Sequence, residues 1–256
     1  FSYCVKEGNM DKSPILSTDF NLNFVSELFR SWFINFDFTG RKKSNSMELA
    51  FSAEPNISES ISDIFSENLV DSELGPIPKG WKIGKLGDYV SIVGGGTPST
   101  SNEDLWNGDI PWISPKDLSN NNTSVIVSTS KSISVEGLNK ISSGLLPVDT
   151  VLMSCRAPIG YCAISKIELA INQGFIAFLP SGYFSRAYIL NWCMANQLLI
   201  ESFASGSTFL EINKSSLKKI KCIIPPRKVI DEFERIVKPI YQKIAIDEKI
   251  SNYYRQ

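Results

Sequence analysis

The chain contains no histidine. That absence rules out Ser-His-Asp and Cys-His relays and any imidazole-bound metal, and it leaves only a carboxylate, Lys or Tyr to act as a general base. There is also no uninterrupted run of about 18 apolar residues, the length a membrane-spanning helix requires. The opening residues FSYCVKEGNMDKS lack the basic-then-apolar order of a signal peptide. Five cysteines, Cys4, Cys155, Cys162, Cys193 and Cys222, are scattered without a C-x-x-C pair. They argue for reduced, buried thiols in a cytoplasmic protein rather than a disulfide frame or zinc site. Phe1 is not an initiator Met, so the chain is expected to derive from a longer one.

Familiar catalytic signatures are missing as well. Val93-Gly94-Gly95-Gly96-Thr97 has neither the Gly-Lys-Ser/Thr ending of a phosphate loop nor the G-x-G-x-x-G spacing of a dinucleotide site. Ile224-Pro225-Pro226-Arg227 lacks the Asn/Asp and the aromatic of the amino-methyltransferase tetrapeptide. No acidic pair followed by a spaced lysine marks a nuclease centre. Nucleotide hydrolysis, methyl transfer and strand cleavage by this chain are therefore unsupported.

What is present suits a globular protein of one large or two small domains: 256 residues, 43% of them hydrophobic. A formal net charge of −1 conceals a division along the chain. Residues 1–78 carry 6 Lys+Arg against 12 Asp+Glu, residues 79–228 carry 15 against 10, and residues 229–256 carry 5 against 5. The middle segment, net +5, has the modest positive field of a phosphate-contacting surface, although an ordinary solvated face has the same charge.

From Phe20 to Phe36, apolar residues recur at three- and four-residue steps, an amphipathic helix whose Leu28, Trp32 and Phe33 need a partner. Residues 41–78 read as a linker closed by Leu74-Gly75-Pro76-Ile77-Pro78. Strands are expected at Lys82–Leu86, Tyr89–Val93, Val125–Val127, Thr150–Met153, Tyr161–Ile164 and Phe175–Leu179, and helical periodicity returns between Ser185 and Phe203. After Pro226 a heptad seam, Ile230, Phe233, Val237, Ile240 and Ile244, predicts a long helix that pairs with another. Pro239 inside it is expected to kink or divide that helix. The fold class is thus α+β: a mixed domain with many short strands and long loops, flanked by long helices that pair in a coiled-coil-like spacer. The division is 1–40 helical element, 41–78 linker, 79–227 globular domain and 228–256 final helix.

Five segments taken together are more specific than any one. They are GGGTPSTSNEDLWNGDIPWISPKDL at 94–118, LLPVDTVLMSCRAPIGYCAI at 145–164, AINQGFIAFLP at 170–180, FASGSTFLEINKSSLKKIKCIIPP at 203–226, and the helix that follows. Their order and spacing resemble the target recognition domain of specificity subunits from type I restriction-modification systems. LFRSWFINFD at 28–37 and VDSELGPIPKGW at 70–81 resemble that family's central spacer and domain entrance.

The resemblance implies sequence-specific recognition of double-stranded DNA without bond chemistry on this chain. Two recognition domains of a complete subunit each read half of a split target, and helices hold them apart. Methyltransferase subunits carrying S-adenosylmethionine dock on the frame, and a restriction and motor subunit joins for cleavage. With one recognition domain, this chain resembles a half-subunit or truncated form, and a homodimer through the spacer helices is expected to rebuild the frame. An alternative is the recognition portion of a fused restriction-methylation enzyme with its catalytic domain upstream. A third reading is a carbohydrate- or peptide-binding domain with Trp106 and Trp112 as stacking platforms.

For base edges the candidates are Thr97, Ser99, Lys116, Asp117, Arg156, Asn172, Gln173, Ser207 and Thr208; for phosphates they are Lys82, Lys131 and Lys140. Each has a structural alternative. Asn172-Gln173-Gly174 and Gly206-Ser207-Thr208 make turns equally well, and Arg156 suits an internal carboxylate. Discriminating readers are also expected in the less motif-like stretch Ser119 to Lys131.

Overall fold

The computed structural model describes residues 13–37, 64–66, 68–119, 123–206 and 210–255. Helix α1 (Ser13–Arg30) runs into a π-helical turn (Ser31–Asn35). Short strands β1 (Leu69–Val70), β2 (Ile77–Pro78), β3 (Lys82–Lys85) and β4 (Ile92–Gly94) lead to the eight-residue β5 (Trp106–Ile113). Helix α2 (Pro115–Ser119), β6 (Val125–Ile126), β7 (Lys131–Ile133) and α3 (Val135–Leu138) follow. Then come β8 (Val151–Ser154), β9 (Cys162–Ser165), β10 (Ala170–Ile171) and β11 (Phe175–Phe178). Helices α4 (Arg186–Ala195), α5 (Gln197–Ser202) and α6 (Lys214–Lys218), strand β12 (Lys221–Ile224) and helix α7 (Arg227–Arg255) complete the chain.

At the centre lies a five-stranded sheet in the order β4-β11-β8-β9-β6. Strands β11, β8 and β9 pair antiparallel to one another, and β6 pairs parallel to β9. Its middle strands VLMS and FIAF are buried at every position, because both faces are covered. Val151, Met153, Ile176 and Phe178 pack towards the helices. Their neighbours Leu152, Phe175 and Ala177 pack the other way, against Ile113, Leu118 and Ile171. A smaller sheet, β10-β5-β7, supplies Ile113 and Ile171 to that second layer. The period-2 geometry of a strand thus builds two cores from one apolar run.

On the helical side, Phe233 of α7 meets Phe29, Trp32 and Phe33 at ring separations of 5.8, 6.1 and 5.3 Å. Tyr188 of α4 meets Phe29 at 5.4 Å and Phe33 at 4.9 Å, both edge-on, the geometry aromatic quadrupoles favour. Leu28, Trp32, Ile230, Phe233, Val237 and Ile244 are all buried, and Ile240 is half-buried against the same cluster. The expected partner of the α7 seam is therefore found inside the chain, in α1 and α4, and that part of the seam offers nothing to a second copy. Within α7, the exposed apolar side chains lie in its last turns: Ile246, Ile250, Tyr253 and Tyr254.

Several expectations need correction. Pro239 does not divide α7, which is continuous over its 29 residues; the proline falls on the exposed side, so the ring and the missing N–H face solvent. Within the segment read as linker, Leu69–Val70 pairs antiparallel with Ile77–Pro78. The strand expected from Tyr89 begins only at Ile92, because residues 86–88 form a helical turn whose Leu86 is buried. The longest strand among the described residues, β5, lies where no strand is expected from the sequence.

Candidate functional site

Five loops meet at one end of the central sheet, joined by backbone hydrogen bonds. Gly96 N–H donates to Ile171 O at 2.9 Å, Asn172 N–H to Ile113 O at 3.0 Å, Cys155 N–H to Gly174 O at 2.8 Å, and Ile212 N–H to Cys155 O at 2.9 Å. Residues 94–97, 113–117, 154–158, 171–174 and 211–213, far apart in sequence, become one surface. Gly95 shows why the first loop is glycine-rich. A Cβ there would stand 2.2 Å from Ile171 O and 2.3 Å from Asn172 O, closer than any side chain tolerates.

Thr97, Asn172 and Gln173 come together on this surface. Asn172 Nδ2 donates to Thr97 Oγ1 at 2.6 Å, and the Thr97 hydroxyl donates to Gln173 Oε1. The Asn172 carboxamide oxygen also accepts from Gly174 N–H at 2.7 Å, so this side chain holds the turn that sequence alone left open. Thr97 and Gln173 remain exposed. The Gln173 amide NH2 has no partner among the described residues and is free to donate to a ligand.

Lys116 and Asp117 lie on α2, whose Pro115 sits over Gly174. Lys116 is exposed, whereas Asp117 is half-buried and already committed. Asp117 Oδ2 accepts from Ser114 N–H and Ser114 Oγ at 2.8 Å each, and its Oδ1 accepts from Ser130 N–H at 3.1 Å. Burial alone would raise its pKa; the hydrogen bonds from Ser130 and Ser114 more than offset this and hold it below the ordinary carboxylate value. Asp117 thus fastens the 114–117 turn to the start of β7. Ser99 is exposed and bonded to Ser101 at 2.9 Å. Arg156 Nε donates to Glu211 Oε2 at 3.0 Å, the carboxylate pairing its structural reading foresaw, with both side chains close to half exposed.

Lys131 and Lys140 flank the glycine-rich loop from the β5–β7 side. Lys131 pairs across the sheet with Trp112, and its Nζ lies 5.5 Å from the centre of the Trp106 ring. Lys140 precedes Ile141, which packs against Gly96. Lys82 is exposed on β3 opposite Ile224, and among the described residues no hydrogen bond ties it to the loop cluster. Ser207 and Thr208 lie outside the described residues, as do residues 120–122 of the Ser119–Lys131 stretch.

The tryptophans are scaffold. Trp112 is buried and donates Nε1–H to Gly96 O at 3.1 Å, while Trp106 donates to Ser99 O at 3.0 Å. Their rings pack edge-on at 5.1 Å, so Trp112 has no open face on which a sugar could stack. Cys155, beneath the surface, has its thiol pushed up to about 11 by burial and then by Glu211, which keeps it protonated and poorly nucleophilic. Among the described residues no cluster of three or more acidic, Cys or His side chains stands ready for a metal, and no helix is long and apolar enough to cross a membrane. What this surface offers is hydrogen bonding and positive charge.

One basic residue near the surface escaped the sequence reading. Lys214 lies over Gly94, where an added Cβ would be 3.6 Å from its Nζ. The signal was present as EINKSSLKKIK, but which of its lysines approaches the glycines depends on the fold.

Comparison with known proteins bears on what the surface is for. The family model of the type I restriction modification DNA specificity domain matches residues 78–253. The type I restriction enzyme MjaIX specificity subunit of Methanocaldococcus jannaschii is 33% identical over 190 residues, covering 71% of this chain and 44% of that protein. The HindI specificity subunit of Haemophilus influenzae is 25% identical over 282 residues, covering 95% of this chain and 61% of its own length. The crystal structure of the HsdS subunit from Thermoanaerobacter tengcongensis matches with a TM-score of 0.50 at 17% identity, covering 92% of this chain and 53% of that one. A likeness at that identity speaks for the fold alone. This chain spans about half the length of the relatives it matches. On the family match and the identity to the archaeal subunit, the chain belongs to the family of type I restriction-modification DNA specificity domains.

Proposed function

We propose that this chain recognises double-stranded DNA, reads one half-site of a split target, and docks adenine methyltransferase subunits through its helices. It performs no bond chemistry itself; S-adenosylmethionine and the transfer step belong to the modification subunits, and cleavage to a restriction and motor subunit. The observation that carries the reading is the single surface made by five loops, on which Thr97, Lys116 and Gln173 stay exposed while the turns beneath are fixed by hydrogen bonds. Contacts to phosphates position such a surface and contacts to base edges specify the sequence. A good bidentate base contact contributes roughly 1–3 kcal/mol of discrimination.

Mapping modified adenines in DNA from a host that carries this gene with its modification partner tests the proposal. One recurring split sequence is expected. Random modification, or none with both proteins present and folded, overturns it.

Self-association also remains part of the reading, moved to the end of α7. Ile246, Ile250 and Tyr253 fall at i, i+4 and i+7, one exposed face of a helix. Light scattering at micromolar concentration is expected to show a dimer that Ile250→Glu weakens, and a monomeric parent contradicts it.

A further inference from the structure

From Asn213 to Lys221 the chain carries four lysines and no carboxylate. Their surroundings separate them. Lys221 is paired with Glu73 across the β1–β2 turn. Lys218 and Lys219 close α6 at its C-terminal end, where the helix carbonyls favour a cation. Lys214 has no such account: it opens α6, beside N–H groups whose partial positive charge disfavours it, and it has no ion pair among the described residues. Asn213 Oδ1 caps Ser216 N–H at 2.9 Å, which fixes the turn that presents Lys214. Lys214 and Lys218 stand four residues apart, on one face of the helix and both exposed.

Beneath this face α6 packs directly on glycine backbone. Lys214 lies over Gly94, and a Cβ at Gly87 would strike the Lys218 Cβ at 2.6 Å. Asp88, beside Gly87, makes no ion pair with either lysine among the described residues. Two exposed cations are therefore held at the edge of the loop surface, one turn of helix apart, their stems seated on glycine backbone. Their chemistry is that of a phosphate contact, and their place extends the surface past the glycine-rich loop.

We infer that Lys214 and Lys218 form a phosphate-binding rail that aligns the DNA backbone alongside the reading loops, contributing affinity but no choice of sequence. This rests on the proposed DNA recognition. Each phosphate neutralised releases counterion, and the slope of log affinity against log salt changes by about 0.9 per contact.

The test compares the parent and the Lys214→Gln, Lys218→Gln double variant, each in complex with the modification subunit, for binding of a target duplex at several salt concentrations. The slope is expected to fall by about 1.8, so that a fourfold rise in salt weakens the parent about 12-fold more than the variant. Modified sites mapped in host DNA stay the same, and a Lys214→Arg, Lys218→Arg variant keeps the parental slope. Failure to fold would show as a lost thermal transition rather than a reduced slope. An unchanged slope in a folded variant, with the parent binding normally, overturns the rail. A parent that binds no duplex at all overturns DNA recognition itself.

Discussion

Phe233 and Gln173 illustrate two ways in which this molecule uses a side chain. Phe233 is fully buried and touches three aromatic rings of α1 and its π turn. Gln173 is exposed in a turn, its side-chain oxygen held by Thr97 and its amide NH2 without a partner among the described residues. On the helical side, apolar contacts take up the α7 seam from Ile230 to Ile244. The loop face is closed underneath, by backbone hydrogen bonds, and open above. Damage to the first is therefore expected to appear as lost stability, and damage to the second as lost recognition with the fold intact.

The largest effect that would test this contrast comes from Phe233→Ala. Removing a fully buried aromatic ring costs about 3–5 kcal/mol. Chemical denaturation is expected to show it, and a loss below about 1 kcal/mol would mean that α7 is not anchored as described. Next is Gly95→Ala, which forces a methyl group into the Ile171 and Asn172 carbonyls and is expected to cost about 1–3 kcal/mol. It should also disturb binding, because the glycine-rich loop and the Asn172 turn share that contact. A variant with parental melting temperature and parental DNA affinity would contradict this.

Asp117 lies between the two regimes. Its carboxylate holds the 114–117 turn, so Asp117→Ala is expected to cost about 0.5–2 kcal/mol, the range of a lost cap. Because folding lowers its pKa, its contribution is fully present above the ordinary value of 3.8 and is lost as pH falls through the lowered one. A denaturation series in acid is expected to show a shallower decline in the alanine variant, and parallel curves would remove the carboxylate from this role. Smallest in stability is Arg156→Ala, whose partly exposed pair with Glu211 is worth about 0–1 kcal/mol after solvent screening. A loss of duplex affinity far beyond that would show that Arg156 leaves Glu211 to contact DNA.

The same contrast explains what could be read from the sequence. The helices announced themselves through periodicity, since Phe29, Trp32, Phe33 and the seam from Ile230 to Ile244 repeat at helical steps. Strands β8 and β11 were legible as short apolar runs. Their burial on both faces removed the alternation that would have told one layer from the other. Strand β5 was hidden because its pattern is broken: Asn107 has a positive φ of 57°, and the register shifts between Trp106 and Ile110. Gly108 lies so close to β7 that a Cβ would stand 2.6 Å from Ile133 O, so a residue that reads as loop is required in a strand.

Of the loop face, the residue types were legible and their commitments were not. Thr97 meets Asn172 and Gln173 across 75 and 76 residues of chain, and Arg156 meets Glu211 across 55. No local pattern encodes such pairings. Asp117 looked like a reader because it sits in a polar turn, and only the fold brings Ser130 to its second oxygen. Lys214 was hidden among other lysines, and its position over Gly94 depends on how α6 meets β4.

The most direct measurement maps modified adenines in hosts carrying either the parent or a Thr97→Ala, Lys116→Gln, Gln173→Ala variant with the same modification partner, each protein first shown to melt cooperatively. The account predicts that the parental sites lose modification or give way to a changed half-site, with stability nearly unaltered. An identical set of modified adenines at parental efficiency would contradict the assignment of this loop face as the part that reads DNA.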